Sequence, residues 1–264
     1  MTDTEFAITY RLNRGSRHLN TLYRRIRRFL DSKAYRVVND MTSDPGYLVV
    51  KGRVRRGPPP TCSALIGEYL YHERAALNYM ACELVRRNNG IVDSKVEWPI
   101  FMRRDKFRNP ATGKFTAAIE SRIGKIASKY YAIIEDEQPF QGRYGQPEDD
   151  PLAIIYELSN YDRHQFIHLT TIVTNASTHN FTPREAAARF QQVSVKYGTF
   201  ENDTEIARFR ILDGPELQVH VGTNVRFDVA FGDGGPRAGE GVVTTLGEIG
   251  GRVGKVMQRI IAVP

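Results

Sequence analysis

PLAIIYELSNYDRHQFIHLTTIVTN, residues 151–175, is the stretch whose reading decides the fold. Asp150 suits an N-cap and Pro151 the first helical position, so the pattern predicts a helix that starts there. At about 100° per residue, His164 and His168 lie one turn apart on a shared face, with Arg163 beside them. Glu157, Asn160, Tyr161 and Thr171 would extend that polar stripe. Ile155, Phe166, Leu169 and Val173 would make the apolar surface that holds the helix in place.

Three earlier segments read as partners for it. Over 16–32, Leu19, Leu22, Tyr23, Ile26, Phe29 and Leu30 recur at three- and four-residue steps, with Ser16 as N-cap. Over 63–88, Ile66, Leu70, Leu77, Met80 and Leu84 form a stripe, with Tyr69 and Glu73 on or near it. Asn89-Gly90 supplies a left-handed cap. Over 117–138, Ile119, Ile123, Ile126, Tyr130, Ile133 and Ile134 repeat the pattern. Between the first two helices, 35–38 and 47–54 read as a hairpin closed by Ser43-Asp44-Pro45-Gly46, which suits a type II turn. Pro58-Pro59-Pro60 is a stiff spacer. Residues 91–118 lack a period, and Trp98, Phe101, Phe107 and Phe115 are expected to pin that loop over the helices.

The tail has a different character. Thr182-Pro183 opens a short helix to 192, and 193–231 alternates as three or four antiparallel strands, including Val219 and Val221. A last helix over 245–261 carries Leu246, Ile249, Val253, Val256 and Ile260. Gly247, Gly250, Gly251 and Gly254 within it would let it lie hard against the sheet. The expected fold class is therefore α+β: a four-helix bundle over 1–180 with an inserted β-hairpin (about 35–54), then a β-rich region over 181–264 with a final helix.

At 264 residues and 41% hydrophobic content the chain can bury a substantial core. Its net charge of +7 is unevenly placed: residues 1–60 hold 13 Lys and Arg against 5 Asp and Glu. A front-loaded positive field suits an anionic partner, although a solvated basic helix has the same composition. Cys62 and Cys82 have neither metal spacing nor a disulfide framework. The acidic N-terminus lacks an apolar secretory core, and no run reaches the length of a membrane span, so the cytoplasm is the expected compartment.

The stripe at 157–171 has three readings: a solvated or hydrogen-bonded seam, a metal site, or phosphodiester chemistry. His164-x-x-x-His168 puts two imidazoles on one face, but Glu73, His72 and Glu157 are only candidate third ligands, so no metal or other cofactor is assigned. The third reading draws on a resemblance. Arg163-x-x-x-x-His168 on the last of four helices, with the polar His164 directly after the arginine, resembles the motif of the HEPN superfamily. That resemblance implies a metal-independent endoribonuclease, or an RNA-binding derivative, with the site completed by a homodimer. The segments RAALNYMACEL and ELSNYDRHQFIH are also similar to uncharacterised bacterial, largely actinobacterial, proteins, a likeness that brings no mechanism.

In the nuclease reading His168 would transfer a proton, Arg163 would grip the phosphate bidentately, and His164 would position either or act as second proton carrier. Glu157, Asn160 and Asp162 would support them. Arg74 and Asn78, one turn apart, read either as a polar seam or as a support for Arg163. Arg17, Arg24, Arg25, Arg28, Arg53, Arg55 and Arg56 would bind flanking RNA phosphates. A protein regulator of unspecified identity would be a second partner. The competing expectation is a non-enzymatic dimerising scaffold.

Overall fold

A computed structural model describes residues 3–41, 44–182, 184–212 and 220–263. In chain order the elements are α1 (Asp3–Asp31), β1 (Tyr35–Asp40), β2 (Tyr47–Val54), α2 (Pro60–Arg87), α3 (Arg104–Phe107), α4 (Ala117–Ile123), α5 (Tyr131–Asp136) and α6 (Pro151–Asp162). Then follow β3 (Leu169–Thr182), β4 (Phe190–Val195), β5 (Gly198–Phe200), β6 (Thr204–Ile211), β7 (His220–Phe231) and α7 (Val242–Ile261), with short 3-10 turns between several of them. No described helix is long and apolar enough to cross a membrane.

The chain forms two compact units, neither continuous in sequence. One holds the described residues up to Leu22, Ala64–Phe166, and those from Val243 onward; the other holds Tyr23–Ser63 and Ile167–Val242. The boundary expected at 180 falls inside β3.

The mixed α/β architecture corrects the expected four-helix bundle with a separate β-rich tail. Three of the four expected helices differ from the reading, the first by starting at Asp3 and running through Ser16. The segment 117–138 is cut into α4, a 3-10 turn at Ser128–Tyr130 and α5. Its apolar side chains Ile119, Ile123, Ile126, Tyr130 and Ile134 are nevertheless buried, because successive short turns keep the three- and four-residue spacing. The helix beginning at Pro151 stops at Asp162, with the amides of His164 and Gln165 both donating to Tyr161 O at 3.0 and 2.8 Å. Beyond it, Thr170, Thr171, Ile172, Val173 and Thr174 are five β-branched residues in a row. Their stiff side chains fit a pleated surface better than a helix, and they enter β3.

In the helix-rich unit α2 is buried over most of its circumference. Ile66, Leu70, Leu77, Met80 and Leu84 are buried as their period predicts, and so are Tyr69, His72, Glu73 and Arg74. Pro60, expected in a spacer, is the first residue of α2, where a missing N–H costs nothing. Asn89 at φ +55° and the Gly90 amide donating to Val85 O at 2.9 Å close it. The loop aromatics cluster edge to face: Phe107 meets Phe101, Phe115 and Phe140 with ring centroids at 6.3, 5.6 and 5.5 Å. Trp98 and Phe107 are fully buried.

The expected stripe of α7, Leu246, Ile249, Val253, Val256 and Ile260, is buried. One of its glycines permits a close approach to α2. A Cβ on Gly250 would lie 2.7 Å from Tyr69 Oη, which donates to Leu246 O at 2.7 Å. Gly250→Ala should therefore destabilise the fold by about 1–2 kcal/mol, the clash and the broken hydrogen bond exceeding the roughly 1 kcal/mol gained in helix propensity. In a Tyr69→Phe background the nearest ring atom is 3.9 Å away. There the same change should be neutral or stabilising in urea unfolding, and an equal cost in both backgrounds would contradict this account.

The other unit holds two antiparallel sheets, in the orders β1-β2-β6-β4 and β5-β3-β7. The expected hairpin is present, with Tyr35 opposite Val54. Ser43 lies outside the described residues, but Tyr47 N donates to Asp44 O at 3.0 Å and Gly46 sits at φ +87°, as a type II turn requires. β2 continues into the sheet, pairing Leu48 with Phe209 of β6. β3 pairs along its length with β7, from Leu169–Phe231 to Thr182–His220. The expected helix to 192 is a 3-10 turn, Arg184–Arg189, that leads into β4; Pro183 and Val219 lie outside the described residues.

Candidate anion-binding pocket

The stripe from Arg163 to His168 is not on a helix. Arg163 caps α6, His164 lies in its closing turn, and His168 sits just ahead of β3, its carbonyl accepting from Gly232 N at 2.8 Å. Arg163, His164 and His168 are all exposed. Arg163 and His168 fall in different units, so the helical spacing on which the nuclease reading depends is absent. Thr171 is a buried residue of β3, and Glu157 stands exposed on α6 with Asn160 half-buried. Among the described residues no group of three or more His, Cys, Asp and Glu side chains is placed to hold a metal ion.

What the helix-rich unit does assemble is a pocket of about 320 Å³ between α2 and the end of α6. Gly67, Tyr71, Arg74 and Asn78 reach it from α2 at helical steps of four, three and four, and Ser159, Asp162 and Arg163 at steps of three and one from α6. Four of the sequence candidates, Arg74, Asn78, Asp162 and Arg163, are thus brought together.

Arg74 is the central group. Its side chain is 10% exposed and its Nη1 has no hydrogen-bond partner among the described residues. Nη2 lies 3.6 Å from Glu97 Oε2, and the guanidinium stands 5.9 Å from the centre of the Tyr156 ring. Burial pulls its pKa down; Glu97 opposes the fall and the charge of Arg163 adds to it. A second buried atom in the pocket, Ser159 Oγ, also lacks a partner. Asn78 Oδ1 is taken by the Trp98 amide at 3.1 Å, which leaves its NH₂ as the group to offer a ligand.

Asp162 is the carboxylate of this lining. It packs so close to Gly67 that a Cβ there would come within 2.4 Å of Oδ2, and desolvation raises its pKa. Tyr71 and Tyr79 complete one wall. Arg11 of α1 steadies that wall, its guanidinium 5.2 and 5.4 Å from the two ring centres and its Nη2 donating to Tyr79 Oη at 3.1 Å.

The pocket is rich in donors and carries two guanidinium groups, a composition that suits an oxyanion. Ser159, Gly67 and Tyr71 do not stand out in the sequence alone. The signal that marks them is the spacing 67, 71, 74, 78 on one helix and 159, 162, 163 on another, which puts small and polar groups on facing stripes.

The seven arginines expected to meet RNA are all exposed. Arg53 pairs with Asp203 at 3.0 Å and Arg56 donates to Ser32 Oγ at 2.6 Å. No protein-family model, curated protein or solved structure matches the chain.

Proposed function

We propose that the chain is an RNA-binding protein that seats a phosphate between Arg74 and Arg163. The observation that carries this reading is the buried Nη1 of Arg74, which has no acceptor among the described residues; Arg74 lines a pocket shared with a second arginine. Leaving such a donor unmade costs about 1–3 kcal/mol or more for a charged group, and a phosphate oxygen removes that cost. The exposed arginines on α1 and at the end of β2 favour a polyanion over an isolated small anion. Binding, not strand cleavage, is the proposed activity, because His168, the proton carrier expected beside Arg163 on a continued helix, is not part of the pocket lining.

The test is fluorescence anisotropy with a short labelled single-stranded RNA in EDTA. Arg163→Ala and Arg74→Gln should each weaken binding by about tenfold or more. Each variant removes one arginine from a phosphate and should flatten the logarithmic salt dependence by about 0.7. Arg163 is exposed at a helix end, so its variant should melt at the wild-type temperature. Affinity unchanged in both variants would overturn the proposal, as would wild-type protein that fails to bind RNA.

A further inference from the structure

Building on that reading, we infer that the pocket takes the terminal nucleotide of an RNA strand, with its phosphomonoester on Arg74 and Arg163, its ribose on Asp162 and its base against Tyr71. If the protein does not bind RNA this inference fails with the proposed function, but it can also fail alone.

Charge is the first argument. A phosphomonoester carries a charge of about −1.5 to −2 near neutral pH, whereas an internal phosphodiester carries one negative charge. Two guanidinium groups face the pocket, and the partnerless donors Arg74 Nη1 and Ser159 Oγ add capacity for a group with three free oxygens. The pocket therefore suits a chain end better than a chain middle.

Size and shape agree. A volume of about 320 Å³ lies at the lower limit of ligand pockets and is on the scale of one nucleotide, not of a continuous strand.

Asp162 is the third argument. Placed among donors, a carboxylate would repel a phosphate, yet the absence of a side chain at Gly67 lets it sit in the wall of the pocket. A carboxylate in that position, itself solvent-exposed, favours a ligand that donates. The hydroxyls of ribose do so, and the 2′-hydroxyl is the one that DNA lacks. Tyr71 supplies the remaining surface: it lines the pocket while 59% exposed, which leaves its ring available to a base, with Arg11 holding it in place. Base stacking of this kind is tolerant of sequence, so no base preference follows.

The experiment compares one RNA sequence with a 5′-phosphate, with a 3′-phosphate and with hydroxyls at both ends, together with the DNA equivalent and a nucleoside monophosphate as competitor. At least one phosphorylated RNA should bind about tenfold or more tighter than the hydroxyl-ended strand, and Arg163→Ala should abolish that preference. Asp162→Ala should reduce discrimination between RNA and DNA while leaving the preference for a terminal phosphate. The monophosphate should compete at higher concentration, since it lacks the contacts of the flanking chain. If all three RNAs bind equally and still depend on Arg163, RNA binding stands and the end-binding inference is wrong. If the phosphate preference holds but Asp162→Ala leaves the RNA-to-DNA ratio unchanged, the ribose assignment is wrong.

Discussion

Replacing Arg252 by methionine is expected to lower the unfolding free energy by about 3–5 kcal/mol, enough to erase much of the margin of an ordinary domain. The arginine comes from α7 and is 4% exposed; its partners Glu137, after α5, and Asp150, ahead of α6, are 1% and 2% exposed. Its Nη1 pairs with a carboxylate oxygen of Glu137 and its Nη2 donates to the carbonyl of Glu137 at 2.9 Å. Nε and Nη2 reach the two oxygens of Asp150 at 3.2 and 3.3 Å. Asp150 also accepts from Leu152 N at 2.8 Å, so one carboxylate both caps α6 and receives the arginine. Methionine fills similar space but leaves two buried carboxylates with less compensation.

Arg259 offers the control. It pairs with Glu137 as well, and with Asp136 at 2.7 Å, but its side chain is 41% exposed. Water replaces much of what Arg259→Met removes, and that change should cost about 1 kcal/mol or less. Urea unfolding monitored by circular dichroism measures both. Adding Glu137→Met to Arg252→Met should recover part of the loss, because it removes a buried charge that has lost one of its two arginines. Equal costs for Arg252→Met and Arg259→Met would show that burial is not the source of the effect.

The sequence is most informative where one period runs uninterrupted. The stripes of α2 and α7 define both helices to within a few residues, and Asn89-Gly90 marks the end of the first because a left-handed residue followed by glycine cannot extend a helix. The cap reading misleads in α1. Ser16 reads as an N-cap, yet the helix passes straight through it, and Gly15 serves packing: a Cβ there would lie 2.6 Å from Glu73 Oε1. A local rule about helix starts cannot detect a neighbour that is 58 residues away in sequence.

The largest departure lies in 163–175, where the helical spacing of His164 and His168 competes with the β-branched run that follows them, and the β-branched run wins. β3 gains two hydrogen-bonded neighbours, β5 and β7, and those partners are invisible to a single-helix reading. The pocket is partly legible for a related reason. Charged residues such as Arg74 and Arg163 attract attention alone, whereas Gly67 and Ser159 acquire meaning only once α2 and α6 face one another.

Glu73→Gln should make the protein more stable by about 3 kcal/mol above pH 7 and leave it unchanged below about pH 4.5. Glu73 is buried on α2, and burial pushes its carboxyl up to about 7 from an ordinary value of 4.5. A folded-state pKa above the unfolded one means that the native protein holds the proton across that interval. Stability from this group is then fully present below about 4.5 and is lost as pH rises through 7. Glutamine copies the neutral form at every pH, so the difference between variant and wild type should open between those limits and then stay constant.

Neighbouring groups contribute to the wild-type curve with the opposite sign. Burial pulls the His72 imidazole below its usual range, with His18, Arg11 and Arg14 adding to the fall and Glu68 opposing it. The two imidazoles stack at 5.3 Å, His18 pairs with Glu68 at 2.8 Å, and Arg11 stands 3.4 Å from His72 Nδ1. Protonating His72 in acid therefore costs stability, which partly masks the Glu73 effect in wild type alone. Subtraction of the two melting curves cancels that shared contribution, since both proteins keep His72. Parallel curves across the whole range would show that Glu73 has the same pKa folded and unfolded, and that α2 tolerates a buried charge without a partner.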